Sequence, residues 1–458
     1  MIQTSVIFLF LNYCLGKKVD MSMVVSKIDW RQLYNFASRQ ALLGFCFDGI
    51  ERLTKEFSEE LKQNSIGRDL LMTWMGASQQ IHRQNMKVNA VAGKLYSKFR
   101  EDGLRCCILK GQGNALMYPN PYSRTPGDID VWMNASRENI TEYAKTHFEI
   151  GDDIRFHHLE TSFDGVPVEL HSFPGIMNNP IYNARLQKWF KRNVDLQCSN
   201  VVSLPDGIGE IAIPTTAFNV VYQLTHLYHH FFDEGIGMRQ IIDYFLVVND
   251  FSKNVFLNND LSNPSVNFSN HPVPLSKEGS TFSPSPSSSG SGDVTAPSRC
   301  SEPLRSKDGG PSKVSPDCAG WDRLAIEEDN SAGSTTVVTS SASTALDVVQ
   351  KELKYLGLWK FAGAVMYVLH KALGLPEEKM IAPMDEKRGK LLLAEILNGG
   401  NFGQHFTKYG HFTQQGMAKK YFLKIWRNMH FVRYFPAEAM SEPIFRTWHF
   451  LWRLKHRR

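Results

Sequence analysis

Three absences narrow the class of this sequence before any motif is read. None of the seven cysteines (Cys14, Cys46, Cys106, Cys107, Cys198, Cys300 and Cys318) stands in a C-x-x-C pair. That excludes the usual zinc-ribbon spacing, and an odd, scattered set suits a reduced, cytoplasmic protein better than a disulfide framework. No apolar run is long enough to span a bilayer, so no membrane span is expected. Blocks of like charge are missing too: 51 Lys and Arg against 46 Asp and Glu leave a net charge of +5. So small an excess permits acidic ligands but lacks the concentrated basic patches of a nucleic-acid coat or a polybasic membrane anchor. There is no internal repeat.

What is present is a chain of 458 residues, 42% hydrophobic, long enough for two or three domains. The opening "MIQTSVIFLFLNYCLGKK" has its lysines after the apolar run, the reverse of a secretory signal. Residues 1–22 are therefore expected to be a disordered leader ahead of a start at Met21 or Met23, with a short membrane-associating segment as the alternative. From residue 23 to 103, apolar residues recur at three- and four-residue intervals, which predicts a helical lead-in. Over 104–213 the pattern turns to short strands, "RCCILKG", "DIDVWM", "IRFHHLET" and "VPVELHSF", with one helix at "SRENITEYAKTHFE". Asp164-Gly165 lies between the last two strands and fits a two-residue hairpin turn. Helical periodicity resumes over 214–250 and 346–458. Between them, 251–345 is dominated by Ser, Pro and Gly and is expected to be a disordered insert. The fold class predicted is α+β: a small mixed-sheet unit flanked by N-terminal and C-terminal helical regions.

The chemistry concentrates in "LKGQGNALMYPNPYSRTPGDIDVWM". On a strand, residues i and i+2 share a face, so Asp128 and Asp130 project together while Ile129 and Val131 face the core. Two carboxylates so close call for a cation between them, most simply Mg2+ or Mn2+, hard ions that take oxygen ligands and leave room for phosphates. Glu169 alternates with Val166, Val168 and Leu170, and so supplies a third carboxylate on a polar face, as metal ligand or as base. Upstream, Lys110 with Gly111 and Gly113 forms a flexible turn suited to phosphate, and Arg124 adds a forked donor. Together these describe nucleotidyl transfer from an NTP to an acceptor hydroxyl, with departing pyrophosphate neutralised by metal.

These residues, with "VELHSF", "GIGMRQIIDYF" and the flanking "DWRQLYNFASRQ" and "YFPAEAMSEPIFRTWHFLWR", resemble the uncharacterised bacterial nucleotidyltransferases of the polymerase-β-like superfamily. The resemblance covers most of the chain outside the insert and the first twenty or so residues. It implies a minimal palm over 104–213 in which Asp128, Asp130 and Glu169 carry the metal. The chain departs from the superfamily's Gly-Ser turn, because Gln112 follows Gly111 and the gap to Asp128 is longer than usual. Lys110 and Arg124 are the expected substitutes for the missing serine contact.

On the next helices, His226, His230 and Asp233 share the face opposite the apolar stripe, either exposed or lining a cleft. Without an H-E-x-x-H signature they are a weak zinc motif. Arg239 and Asp243, at i and i+4, read as an intrahelical ion pair, although a nucleotide-facing Arg239 is retained as a candidate. His171 shares a face with Glu169 and could tune it. The terminal "WRLKHRR" reads as a solvated helix end. The acceptor (small molecule, protein or RNA), the base preference and the oligomeric state are left open. Two rival readings stand beside the transferase: a non-catalytic NTP-binding module and an enzyme adding nucleotides to an RNA end.

Overall fold

The computed structural model describes residues 2–154, 156–259, 345–406 and 417–456. Six helices come first: α1 (Ile2–Cys14), α2 (Ser22–Val25), α3 (Trp30–Arg39), α4 (Leu43–Glu56), α5 (Ser58–Gln63) and the 34-residue α6 (Arg68–Glu101). Next comes the sheet region: β1 (Cys106–Leu109), α7 (Gly111–Ala115), β2 (Ile129–Met133), α8 (Arg137–His147), β3 (Glu149–Ile154), β4 (His158–Phe163) and β5 (Val166–His171). The chain continues through α9 (Pro180–Ser199), the short pair β6 (Val201–Ser203) and β7 (Glu210–Ala212), then α10 (Thr216–Asp233) and α11 (Met238–Asn259). It closes with α12 (Ala345–Tyr355), α13 (Trp359–Leu373), α14 (Glu386–Gly399), α15 (Met417–Met429) and α16 (Pro436–His456). The α+β class and the mixed sheet are as the sequence predicts.

The five strands lie in the order β1-β2-β5-β4-β3. β2 runs antiparallel to β1 and parallel to β5, and β4 is antiparallel to both β5 and β3. The β4–β5 turn is Asp164-Gly165, with φ of 49° and 67°. Two positive φ values in succession make the tight turn that matches strand twist, and Asp-Gly is the residue pair that tolerates it. β3 lies earlier than expected: the strand predicted from Ile154 is broken, and His158 opens a separate strand.

Because side chains alternate, the sheet separates two cores. Cys106, Ile108, Ile129, Val131, Val166, Val168 and Leu170 face α6 and α8 in one core. Cys107, Leu109 and Trp132 face the other, which the remaining helices build. Trp132 packs on Phe190 of α9 and Phe218 of α10, with ring centroids 5.8 and 5.7 Å away. Asp130 is on the Trp132 side, so the predicted carboxylates point toward α10 and α11.

Two expectations change. Residues 2–14 do not stand outside the fold: α1 buries Phe10, Leu11 and Tyr13 completely, and the Asn12 amide donates to the Ala372 carbonyl at 3.0 Å. Nearly uniform apolarity suits a helix packed on two sides, and that pattern is easily mistaken for a leader. The expected break at residue 250 also falls late, because α11 continues to Asn259 with Phe251 and Ser252 buried. The expectation of a disordered insert over 260–344 lies outside the described residues. No helix among the described residues is long and apolar enough to cross a membrane.

Candidate active site

The β2–β5 register sets Asp130 beside Glu169, and the β4–β5 register sets Glu160 opposite Glu169 and His158 opposite His171. Asp128, one residue before β2, completes the group. Asp128, Asp130 and Glu169 all border a cleft of about 270 Å3 whose far wall is α10. A second cleft of about 160 Å3 lies on the side of α7 and α11 and shares Asp128, Asp130 and Lys110 with the first.

Asp130 is the electrostatic centre. The Lys110 ammonium lies 2.9 Å from its Oδ1, and His171 Nε2 lies 3.0 Å from the same oxygen. Burial opposes ionisation of Asp130, but Lys110 and the His171 hydrogen bond outweigh it and hold the carboxyl well below its usual range. The converse holds for His171. Burial would lower its pKa, but bonds to Asp130 and Glu169 raise it to about 9. Among the described residues Asp128 has no such partner. The negative charge of Asp130, then burial, then Glu169 push its pKa to about 6. Crowded carboxylates of this kind, lining one cleft, fit a hard divalent cation with oxygen ligands.

Lys110 reaches this position at the cost of backbone strain. Its φ of 52° and ψ of −119° belong to a region normally held by glycine. Gly111 borders the smaller cleft, whereas Gly113 does not. A Cβ on Gly113 would lie 3.0 Å from Ile213, so its role is to let α7 pack on the segment after β7.

Arg124 and Arg239 both border the smaller cleft but differ in availability. Arg124 is 4% exposed and committed to Asp243, with Nε–Oδ1 and Nη2–Oδ2 both 2.9 Å. Tyr118 donates to the same carboxylate at 2.7 Å. The Arg239–Asp243 pair expected from i, i+4 spacing is therefore replaced by an Arg124–Asp243 pair. Arg239 instead lies over the Phe402 ring, 5.7 Å from its centroid, and its Nε has no hydrogen-bond partner among the described residues.

Several residues here were not singled out from sequence. Asn114 Oδ1 accepts from Gln223 at 2.6 Å, so the Asn114 amide nitrogen, unpartnered among the described residues, is left as a donor. Gln240 Oε1 accepts from the Gly237 N–H at 3.0 Å, which leaves its Nε2 in the same condition. Asn219 and Gln223, a polar i, i+4 pair in the otherwise apolar start of α10, were the available signal.

The family relationship agrees with this geometry. The model of a family described as "Uncharacterised nucleotidyltransferase" matches residues 26–262, just over half of the chain. The chain belongs to that nucleotidyltransferase family. Among solved structures, one similar chain is an antigenic nucleotidyltransferase-like protein from Paracoccidioides brasiliensis. It is 17% identical, with a TM-score of 0.25, over 35% of this chain and 75% of that one. No curated protein matches significantly.

In this family member, the α10 face carrying His226, His230 and Asp233 lines the larger cleft, together with His229 and Glu234. His226 and His229 are held neutral, first by burial: the pKa of His226 falls well below its usual value and that of His229 to about 4. Asp233 is already paired with Lys424 at 2.9 Å and Arg446 at 2.7 Å, which ties this end of α10 to α15 and α16.

Proposed function

We propose that the protein transfers a nucleoside monophosphate from an NTP to an acceptor, with release of pyrophosphate. The observation that carries this reading is the convergence of Asp128, Asp130 and Glu169 on one cleft, with their mutual repulsion only partly offset by Lys110 and His171. Asp128, Asp130 and Glu169 would hold Mg2+ or Mn2+, which supplies charge neutralisation at the α-phosphate and at the leaving group. Arg239 Nε, Asn114 Nδ2 and Gln240 Nε2 offer donors along the smaller cleft, a lining suited to triphosphate oxygens. Lys110 stands between the two clefts, where it offsets negative charge during transfer. Arg124 acts indirectly, by fixing Asp243 and the loop that leads into Asp128.

In the step itself an acceptor hydroxyl oxygen attacks the α-phosphorus, the bond from that phosphorus to the bridging oxygen breaks, and pyrophosphate leaves with the electron pair. Glu169 takes the hydroxyl proton. The acceptor approaches through the larger, histidine-lined cleft. Free, buried cysteines at 14, 46, 106, 107 and 198 support a reducing, cytoplasmic setting.

One observation favours the alternative of a non-catalytic NTP-binding module: Lys110 and His171 already share the Asp130 oxygen that a metal would use. The test is pyrophosphate release from each of the four NTPs with Mg2+ or Mn2+, across small hydroxyl acceptors, proteins and RNA. Metal-dependent release abolished by Asp128→Asn supports transfer. Tight NTP binding by calorimetry with no turnover on any acceptor moves the assignment to the binding module.

A further inference from the structure

Next to the three carboxylates, the β4–β5 hairpin carries a second pattern. His158 and Glu160 alternate with the buried Leu159 on β4, and Glu169 and His171 flank the buried Leu170 on β5. The antiparallel register places His158 directly opposite His171, and Glu160 directly opposite Glu169. Two imidazoles and two carboxylates thus form a square on one face of the sheet. The His158 and His171 ring centroids are 5.1 Å apart. Ligand atoms of His158, Glu160 and Glu169 lie within 4.8 Å of one another, as do those of Asp130, Glu169 and His171.

We propose that this square, His158, Glu160, Glu169 and His171, binds a divalent first-row transition-metal ion, a site separate from the Asp128–Asp130 pair and joined to it through Glu169. Three features support it. Glu160 facing Glu169 across the strands sets like charges directly opposite each other, a destabilising arrangement that an ion between them relieves. His158 turns one ring nitrogen toward each glutamate, Nδ1 3.1 Å from Glu169 and Nε2 3.8 Å from Glu160. Both histidines are 3% exposed, and His171 Nδ1 has no hydrogen-bond partner among the described residues. Paired imidazole and carboxylate donors suit Mn2+ through Zn2+, whereas Mg2+ takes oxygen ligands.

The test uses the full chain and Co2+ as the probe, titrated at mildly alkaline pH and followed by visible d–d absorption and calorimetry. One nitrogen-ligated Co2+, marked by its absorption band, is expected per chain, apart from any ion that Asp128 and Asp130 hold through oxygen alone. His158→Gln should weaken it at least about 100-fold, since even losing a second-sphere partner costs 10–100-fold. Asp128→Asn should leave it essentially unchanged. Absence of Co2+ uptake, uptake indifferent to His158→Gln, or uptake lost in Asp128→Asn overturns the site. Thermal melting checks that each variant folds, and if His158→Gln does not, Glu160→Gln at the half-exposed corner carries the same comparison. The metal site and the transfer reaction fail separately: Co2+ uptake without pyrophosphate release removes only the transferase reading, and the reverse removes only this one.

Discussion

Arg124 and Asp243 form a two-pronged ion pair across 119 residues of sequence, with both N–O distances 2.9 Å and both side chains almost fully buried. The pair ties the loop before β2 to α11, and so sets where Asp128 begins. Arg124→Ala leaves Asp243 charged and buried, and it should destabilise the protein by about 3–5 kcal/mol in urea unfolding. The double variant Arg124→Met/Asp243→Leu should recover part of that loss, because the ion pair is removed as a unit while Tyr118 loses its acceptor. A double variant as unstable as the single would show that the pair is not the source.

Position 110 separates backbone from side chain. Lys110→Gly and Lys110→Ala both remove the ammonium from Asp130, and both should abolish pyrophosphate release. They should differ in stability. Glycine relieves the strain of φ 52° and ψ −119°, whereas alanine keeps it, so the glycine variant should be more stable by about 1 kcal/mol or more in denaturant titration. Equal stabilities would mean that the turn changes its conformation when lysine is lost.

Asp128→Asn should reduce kcat/KM for pyrophosphate release at least about 1000-fold, equivalent to about 4 kcal/mol of transition-state stabilisation. Its melting temperature should be unchanged or slightly higher, because the amide removes a charge that Asp130 repels. A collapse of the melting transition would assign the aspartate a structural role instead.

Glu438, in the first turn of α16, gives a pH signature away from the metal site. Its carboxylate accepts from the Asn178 and Asn179 backbone N–H groups, at 2.6 and 3.3 Å. Burial, reinforced by the charge of Glu442, nevertheless raises its pKa from 4.5 to about 7. Because the folded pKa lies above the unfolded one, the folded state holds the extra proton. The stability contribution is complete below about pH 4.5 and is lost as pH rises through about 7. The shift amounts to about 3 kcal/mol. Glu438→Gln should therefore be more stable than the parent at pH 8 and show no such gain at pH 5, measured by thermal unfolding. A pH-independent difference would refute the assignment.

Local pattern carried much of the site into view. Alternation was enough to place Asp128, Asp130 and Glu169 on a shared face, and Asp164-Gly165 marked its hairpin. The partner of Asp243 was not legible, since i, i+4 spacing names Arg239 and nothing local points to an arginine 119 residues away. Asn114, Gln223 and Gln240 were missed for a similar reason: buried amides gain meaning only once their hydrogen-bond partners are known. In α1, a burial pattern distributed around the helix resembled a segment with no fold to join. The strand break between β3 and β4 had no local marker, whereas the Asp164-Gly165 turn by itself sets His158 opposite His171.

The two-sided sheet also bears on how the molecule comes apart. Val131 and Trp132 are consecutive residues of β2, yet they belong to different cores. Neither core can melt without stripping one side of the strand that lines the other, so the β-region and the helices around it share a structural wall and have no seam between them. Heat should therefore dismantle these layers in one cooperative transition, and the carboxylates, mounted on that wall, should keep their spacing until the whole gives way.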